Sequence, residues 1–222
     1  MTLLLRAIVA PEDAGIAEEL GLSAVSGSLL AALASHWEKA LVAGEPELLD
    51  HHRIIQSVFE RVPCLPARFG SVFDDEDALR TRLNQRDVDL ASQLARLGHR
   101  CELAITCAWR DKGVISPVSI MTAGSGRAYL ERGLQQRRSD RERVVRAEAI
   151  VARLLGELAT EPTLVRHRTC PRPAVAVSMS ALVTRDEIDG LSSRLERLGA
   201  QLPDVTIVVQ GPWAPYTFAV SE

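Results

Sequence analysis

Cys170-Pro171-Arg172-Pro173-Ala174-Val175-Ala176-Val177-Ser178-Met179-Ser180-Ala181-Leu182-Val183 is the stretch from which the fold is read. Its two prolines lack an N–H and hold φ near about −65°, so they mark a turn. Beyond them Val175, Val177, Met179, Ala181 and Val183 fall on one side of an alternating run, which is the period of a strand over 174–183. Upstream, 163–169 reads as a polar strand, and the pair forms a hairpin about the proline turn. Downstream, Ile188, Leu191, Leu195 and Leu198 keep helical spacing over 185–198 until Gly199, and 205–209 is a final apolar strand.

Further upstream, Cys101, Leu103, Ile105, Cys107 and Trp109 share one face of another strand. A loop rich in glycine, serine and proline leads from it to Gly126, where a long helix begins with Ser125 as its cap. Leu130, Leu134, Val144, Val145, Val151, Leu154, Leu155 and Leu158 lie along that helix, but 135–143 is nearly all polar and is predicted to project into solvent. Arg137, Arg138, Arg141 and Arg143 alternate there with Asp140 and Glu142, the pattern of a solvated face before that of a grip on an acidic partner. From Arg100 onward the order is strand, helix, strand, strand, helix, strand. This is the ferredoxin-like plan, a four-stranded antiparallel sheet with two helices on one face. The fold class expected is therefore α+β in two domains, 1–98 and 99–222, the second with a long projecting helix.

In the first domain, Leu3 to Val9 is apolar on nearly both faces apart from Arg6, which predicts a central strand. The stretch 21–35 suits a hairpin or a helix, and the hairpin is preferred. A helix starts at Glu45-Pro46, shows Leu48, Ile55, Val58, Phe59 and Val62 on one stripe and stops before Pro63. His51 shares that stripe and reads first as a partly buried, hydrogen-bonded histidine. Asp74-Asp75-Glu76-Asp77 supplies an N-cap and an acidic first turn for one helix whose stripe is Leu79, Leu83, Leu90, Leu94 and Leu97, closed by Gly98.

The 222 residues are 46% hydrophobic and 25% charged, ordinary for a chain with a sizeable core, and the net charge of −3 advertises neither nucleic acid nor an anionic membrane as partner. Arg6, Pro11 and Glu12-Asp13 interrupt the apolar start before a signal-peptide core could form, so a cytoplasmic chain is expected. With no secretion signal, Cys64, Cys101, Cys107 and Cys170 are expected as thiols. No metal-ligand spacing occurs, and no cofactor is expected.

Two distant segments remain: Leu65-Pro66-Ala67-Arg68-Phe69-Gly70-Ser71-Val72-Phe73 and Gly211-Pro212-Trp213-Ala214-Pro215-Tyr216-Thr217-Phe218. Together they resemble the signature of the gas vesicle F/L protein family. His51-His52-Arg53-Ile54-Ile55 and Gly126-Arg127-Ala128-Tyr129-Leu130 resemble segments of that family as well, so the likeness spans most of the chain. Departures are Ala67 for a larger aliphatic, Ala214 for a proline, and the hydroxyl residues Ser71 and Thr217. The resemblance implies two α+β domains, the second a modified ferredoxin-like one. It implies a non-enzymatic accessory or minor structural protein of gas vesicles, supporting their assembly. The implied partners are the hydrophobic, GvpA-like shell subunit and other gas vesicle accessory proteins, and the implied location is the gas vesicle.

Leu65, Pro66, Arg68, Phe69, Gly70, Trp213, Pro215, Tyr216 and Phe218 are the candidate partner-binding or structural residues. Pro66 makes the first segment an edge strand or a strand start, whose edge near 65–73 is expected to be open to an extended partner segment. Arg68 is expected to pair with the carboxylates of 74–77, at least as readily as to contact a partner protein, with a phosphate or carboxylate ligand as the third reading. The tail, held extended by its prolines, is expected to strap across both domains beside Phe69 and Phe73, or else to be a docking peptide. The competing class is a ferredoxin-like small-molecule-binding regulator or enzyme, but no converging Ser-His-Asp or Cys-His set supports it.

Overall fold

Leu3–Val9 (β1) is buried along its whole length, and the first sheet is built around it. On one side β1 pairs antiparallel with Ala31–His36 (β3), which pairs with Ser23–Ser26 (β2) in the expected hairpin. On the other side it pairs with two very short strands, Leu65–Pro66 (β4) and Val72–Phe73 (β5), giving the order β2-β3-β1-β4 with β5 also on β1. With every residue buried, β1 is covered on both faces, which is why its sequence does not alternate. The computed structural model describes residues 2–37, 44–110, 126–158 and 164–219. The expected glycine-serine loop and the Ser125 cap lie outside them.

The chain divides into two compact units, Met1–Glu102 with Pro212–Glu222, and Leu103–Gly211. The tail expected in a second domain of 99–222 thus belongs to the first unit, because its side chains and main chain are satisfied there. In that unit the short helix Ile16–Glu19 (α1) packs on β2, and Glu45–Phe59 (α2) packs on β1 through its buried His51, Ile55, Val58 and Phe59. The one helix expected over 74–97 is two, Glu76–Asn84 (α3) and Asp87–Leu97 (α4). Asn84 accepts a hydrogen bond from Ser28 N at 2.8 Å through its side-chain oxygen, and Arg86 leaves helical geometry at ψ 13°. The halves then serve different strands: α3 packs on β2, β3 and β5, and α4 on β4.

Cys101–Trp109 (β6), Val165–Arg172 (β7), Val175–Val183 (β8) and Val205–Trp213 (β9) form a sheet in the order β7-β8-β6-β9, all but the first two residues of β6 and the last two of β9 belonging to the second unit. Gly126–Leu158 (α5) packs on β7 and β8, and Ile188–Ala200 (α6) packs on α5. The alternation read from sequence holds, with Cys101, Leu103, Ile105 and Cys107 of β6 buried together with Val177, Met179 and Ala181 of β8. The described side chains of 133–142 on α5 are all exposed, and beyond them Arg143 and Arg146 lie over the Trp109 ring at 5.3 and 4.9 Å. No disulfide joins the four cysteines, and burial pushes the Cys64 and Cys107 thiols up to about 12 and about 11.

Candidate functional site

The register of β1 against β3 slips at one residue: Leu5 faces Ala34 and Ala7 faces Leu33, leaving Arg6 as the extra residue of a bulge. Its side chain, 2% exposed, donates from Nε to Ser35 Oγ at 2.9 Å and from a terminal nitrogen to His51 Nδ1 at 3.0 Å. A guanidinium can only donate, so Nδ1 of His51 accepts and Nε2 carries the proton. That Nε2–H donates to the carbonyl of Ala67 at 3.0 Å. Burial holds the His51 pKa below its ordinary 6.5, against the Ala67 hydrogen bond and with the help of Arg6. Asp50, 3.6 Å from Arg6, compensates part of the buried positive charge.

The carbonyl so held belongs to the first family-like segment. Leu65 and Pro66 pair with Ile8 and Ala7, while Val72 and Phe73 pair with Leu4 and Leu3. Five residues, Ala67 to Ser71, therefore span only two on β1 and bow outward as a knuckle. Ser71 closes it by donating from N and Oγ to the Arg68 carbonyl at 3.2 and 2.8 Å, and Gly70 sits at φ 95°, where a side chain would be strained. Phe69 anchors the knuckle by standing edge-on to His51, ring centres 5.4 Å apart. Arg68 is exposed and makes no ion pair among the described residues, contrary to expectation. The carboxylates it was expected to meet are used locally: Asp75 caps α3 through Ala78 N at 2.8 Å, and Arg80 pairs with Asp77 at 2.5 Å and Glu76 at 3.8 Å.

The tail is not extended throughout. Strand β9 carries it to Trp213, and after the buried Ala214 and Pro215 it turns into a short helix, Tyr216–Ala219 (α7), which packs on β4 and α4. Three partners fix it. Gln56 of α2 donates to the Pro212 carbonyl at 3.1 Å and accepts from Ala214 N at 3.3 Å, completing the tail's main chain. His52 meets the Trp213 and Tyr216 rings at 5.2 and 5.8 Å and bonds the Tyr216 hydroxyl at 3.2 Å. Glu102, 6% exposed, accepts from Thr217 N at 2.8 Å and Thr217 Oγ1 at 2.6 Å, a carboxylate on the first turn of α7. Burial raises the Tyr216 pKa, with Cys64 and Glu102 adding to it, and Phe218 is 4% exposed.

The two segments, some 140 residues apart in sequence, thus meet where α7 lies against β4. Leu65, Pro66, Pro215 and Phe218 are buried at or near that junction, Trp213 and Tyr216 are half-buried on α2, and only Arg68 and Gly70 of the nine candidates are exposed. The edge expected to be open at Leu65 is therefore covered. Arg6, Gln56 and Glu102 were not singled out from the sequence; a polar residue in the middle of an otherwise apolar strand was the one available signal, at Arg6. Among the described residues no group of three or more His, Cys, Asp or Glu side chains could hold a metal, and no helix is long and apolar enough to cross a membrane.

The sequence profile of a family described as gas vesicle synthesis protein GvpL/GvpF matches residues 6–220. Gas vesicle protein F of Streptomyces sp. (strain CB03234) is 28% identical over 203 residues, 85% of this chain and 84% of that protein. Gas vesicle protein L of the same strain is 32% identical over 181 residues, 76% and 67% of the two chains. The crystal structure of GvpF from Anabaena sp. PCC7120 superposes with a TM-score of 0.77, covering 100% of this chain and 97% of its own at 18% identity. That of GvpF from Microcystis aeruginosa gives 0.73, covering 99% of each at 17% identity.

Proposed function

The chain belongs to the GvpL/GvpF family of gas vesicle synthesis proteins, and from that premise we propose that it is a non-enzymatic accessory protein which binds the hydrophobic shell subunit and supports gas vesicle assembly. Its place of action is then the gas vesicle, with other accessory proteins as further partners. The observation that carries this reading is the convergence of the two family-like segments: buried residues of one hold those of the other, and the knuckle at Arg68 and Gly70 is what remains outside. A surface built from main-chain turns and one cation suits recognition of another polypeptide better than chemistry on a small molecule. The sheet order β7-β8-β6-β9, within an element order of strand, helix, strand, strand, helix, strand, supports the ferredoxin-like reading of Leu103–Gly211.

The test is capture of the shell subunit from coexpressing cells by the full chain and by Arg68→Glu. Because Arg68 is exposed and makes no ion pair among the described residues, the variant's unfolding free energy should stay within about 0.5 kcal/mol of the parent. Capture should fall while stability holds. Failure of the parent chain to capture the subunit overturns the function; equal capture by both moves the contact away from the knuckle.

A further inference from the structure

The two edges of the second sheet are built differently. At one end β7 carries Arg166, His167, Arg168, Pro171 and Arg172 and is broken by a bulge between Thr169 and Arg172. Charge, proline and a bulge are the devices that keep an edge strand from pairing with another chain. At the other end β9 carries no charge and has five β-branched residues in succession, Val205 to Val209, with its one proline, Pro212, only at its far end beside Trp213. Val208 is 44% exposed. Beside this edge, which no strand of the described residues pairs, α6 and β9 leave a groove of about 530 Å³ whose lining includes the buried Leu103 and Leu195, together with Glu196, Gly199 and Arg110.

We propose that β9 and this groove bind an extended aliphatic segment of a partner protein by strand addition, with an acidic side chain of that segment meeting Arg110. The outward N–H and C=O groups of β9 supply the ladder, and alternate side chains of the added strand enter the groove. Arg110 marks the end where β9 begins: its N–H donates to the Asp204 carbonyl at 2.8 Å and its Nε to Thr206 Oγ1 at 3.3 Å. The terminal guanidinium nitrogens make no ion pair among the described residues, since Asp204 is taken by Arg146 at 2.5 Å. A second copy of β9 brings no carboxylate to that position, so charge complementarity favours a foreign segment. The surface lies within Leu103–Gly211 and is independent of the knuckle in the other unit.

The probe is a fluorescent peptide of alternating valine and threonine with one terminal glutamate, titrated into the full chain by anisotropy. Saturable binding is expected, weakened about tenfold or more in Arg110→Glu and regained when the peptide's glutamate becomes lysine. Gly199→Leu should also weaken it: a Cβ there meets Ile207 at 3.8 Å, an ordinary contact, so the side chain fills the groove without displacing backbone. A thermal melt confirms that each variant is folded. Absence of saturable binding by the parent chain, or equal affinity of all three proteins, overturns the proposal. So does a chain already dimeric in sedimentation that Val208→Lys makes monomeric, because a second copy then occupies the edge.

Discussion

His51 is held neutral by what surrounds it: Arg6 donates to one ring nitrogen, the Ala67 carbonyl takes the proton of the other, and Phe69 covers the ring. Burial is the main obstacle to protonation, which would also set a second N–H against Arg6 with His52 adding repulsion, while the Ala67 hydrogen bond and Asp50 favour it. With its folded pKa lowered, His51 contributes stability that is complete above about pH 6.5 and is lost as pH falls from there toward the lowered value, where the unfolded chain takes up the proton first. His51→Phe should cost about 1–3 kcal/mol near pH 7.5, because Arg6 loses its acceptor. The gap between parent and variant should narrow toward pH 5, as read from urea unfolding at both pH values; a constant gap would deny His51 this role. The histidine's burial was legible from its place on the α2 stripe, but its partner was not. A bulge depends on the register of a strand 25 residues away, which no local pattern reports.

At the scale of elements, α7 is four residues long and cannot be stable alone. It exists because Glu102 accepts from its first turn and because Phe218 is buried as it packs on β4 and α4. Phe218→Ala should therefore cost about 3–5 kcal/mol. Thr217→Val, which removes the hydroxyl that Glu102 holds at 2.6 Å, should cost about 1–3 kcal/mol. Chemical denaturation of the full chain checks both, and losses below about 0.5 kcal/mol would mean that the tail is loosely held. Sequence reading missed this helix because four residues show no period. It also ran α3 and α4 together, since the step from Leu83 to Leu90 is two helical turns and keeps the stripe in phase through the break. By contrast β6, β8 and α6 were readable, each being nine residues or longer with one apolar face.

At the scale of the whole molecule, the first unit is discontinuous: Met1–Glu102 is completed by Pro212–Glu222. A fragment ending at residue 102 should leave Gln56, His52 and Glu102 without the groups they hold and should melt well below the parent's first unit. A synthetic peptide of residues 211–222 added in trans should raise that midpoint with the logarithm of its concentration above its Kd, because it binds the folded fragment and not the unfolded one. A fragment melting as high without the peptide as with it would show that the tail is dispensable to the unit. The domain boundary near Gly98 came from the change of period there, but no period tells which body a tail joins; that is settled by partners as far upstream as α2.

The same discontinuity sets an order of events during synthesis. Between the emergence of Glu102 and that of the tail the ribosome must add Leu103–Gly211, which at about 5–20 residues per second takes on the order of ten seconds. Throughout that interval the nascent first half presents the Leu65–Pro66 strand and the flank of α4 with nothing yet made to cover them. A factor that acts on the growing chain would find there an apolar strand edge that the finished protein no longer offers.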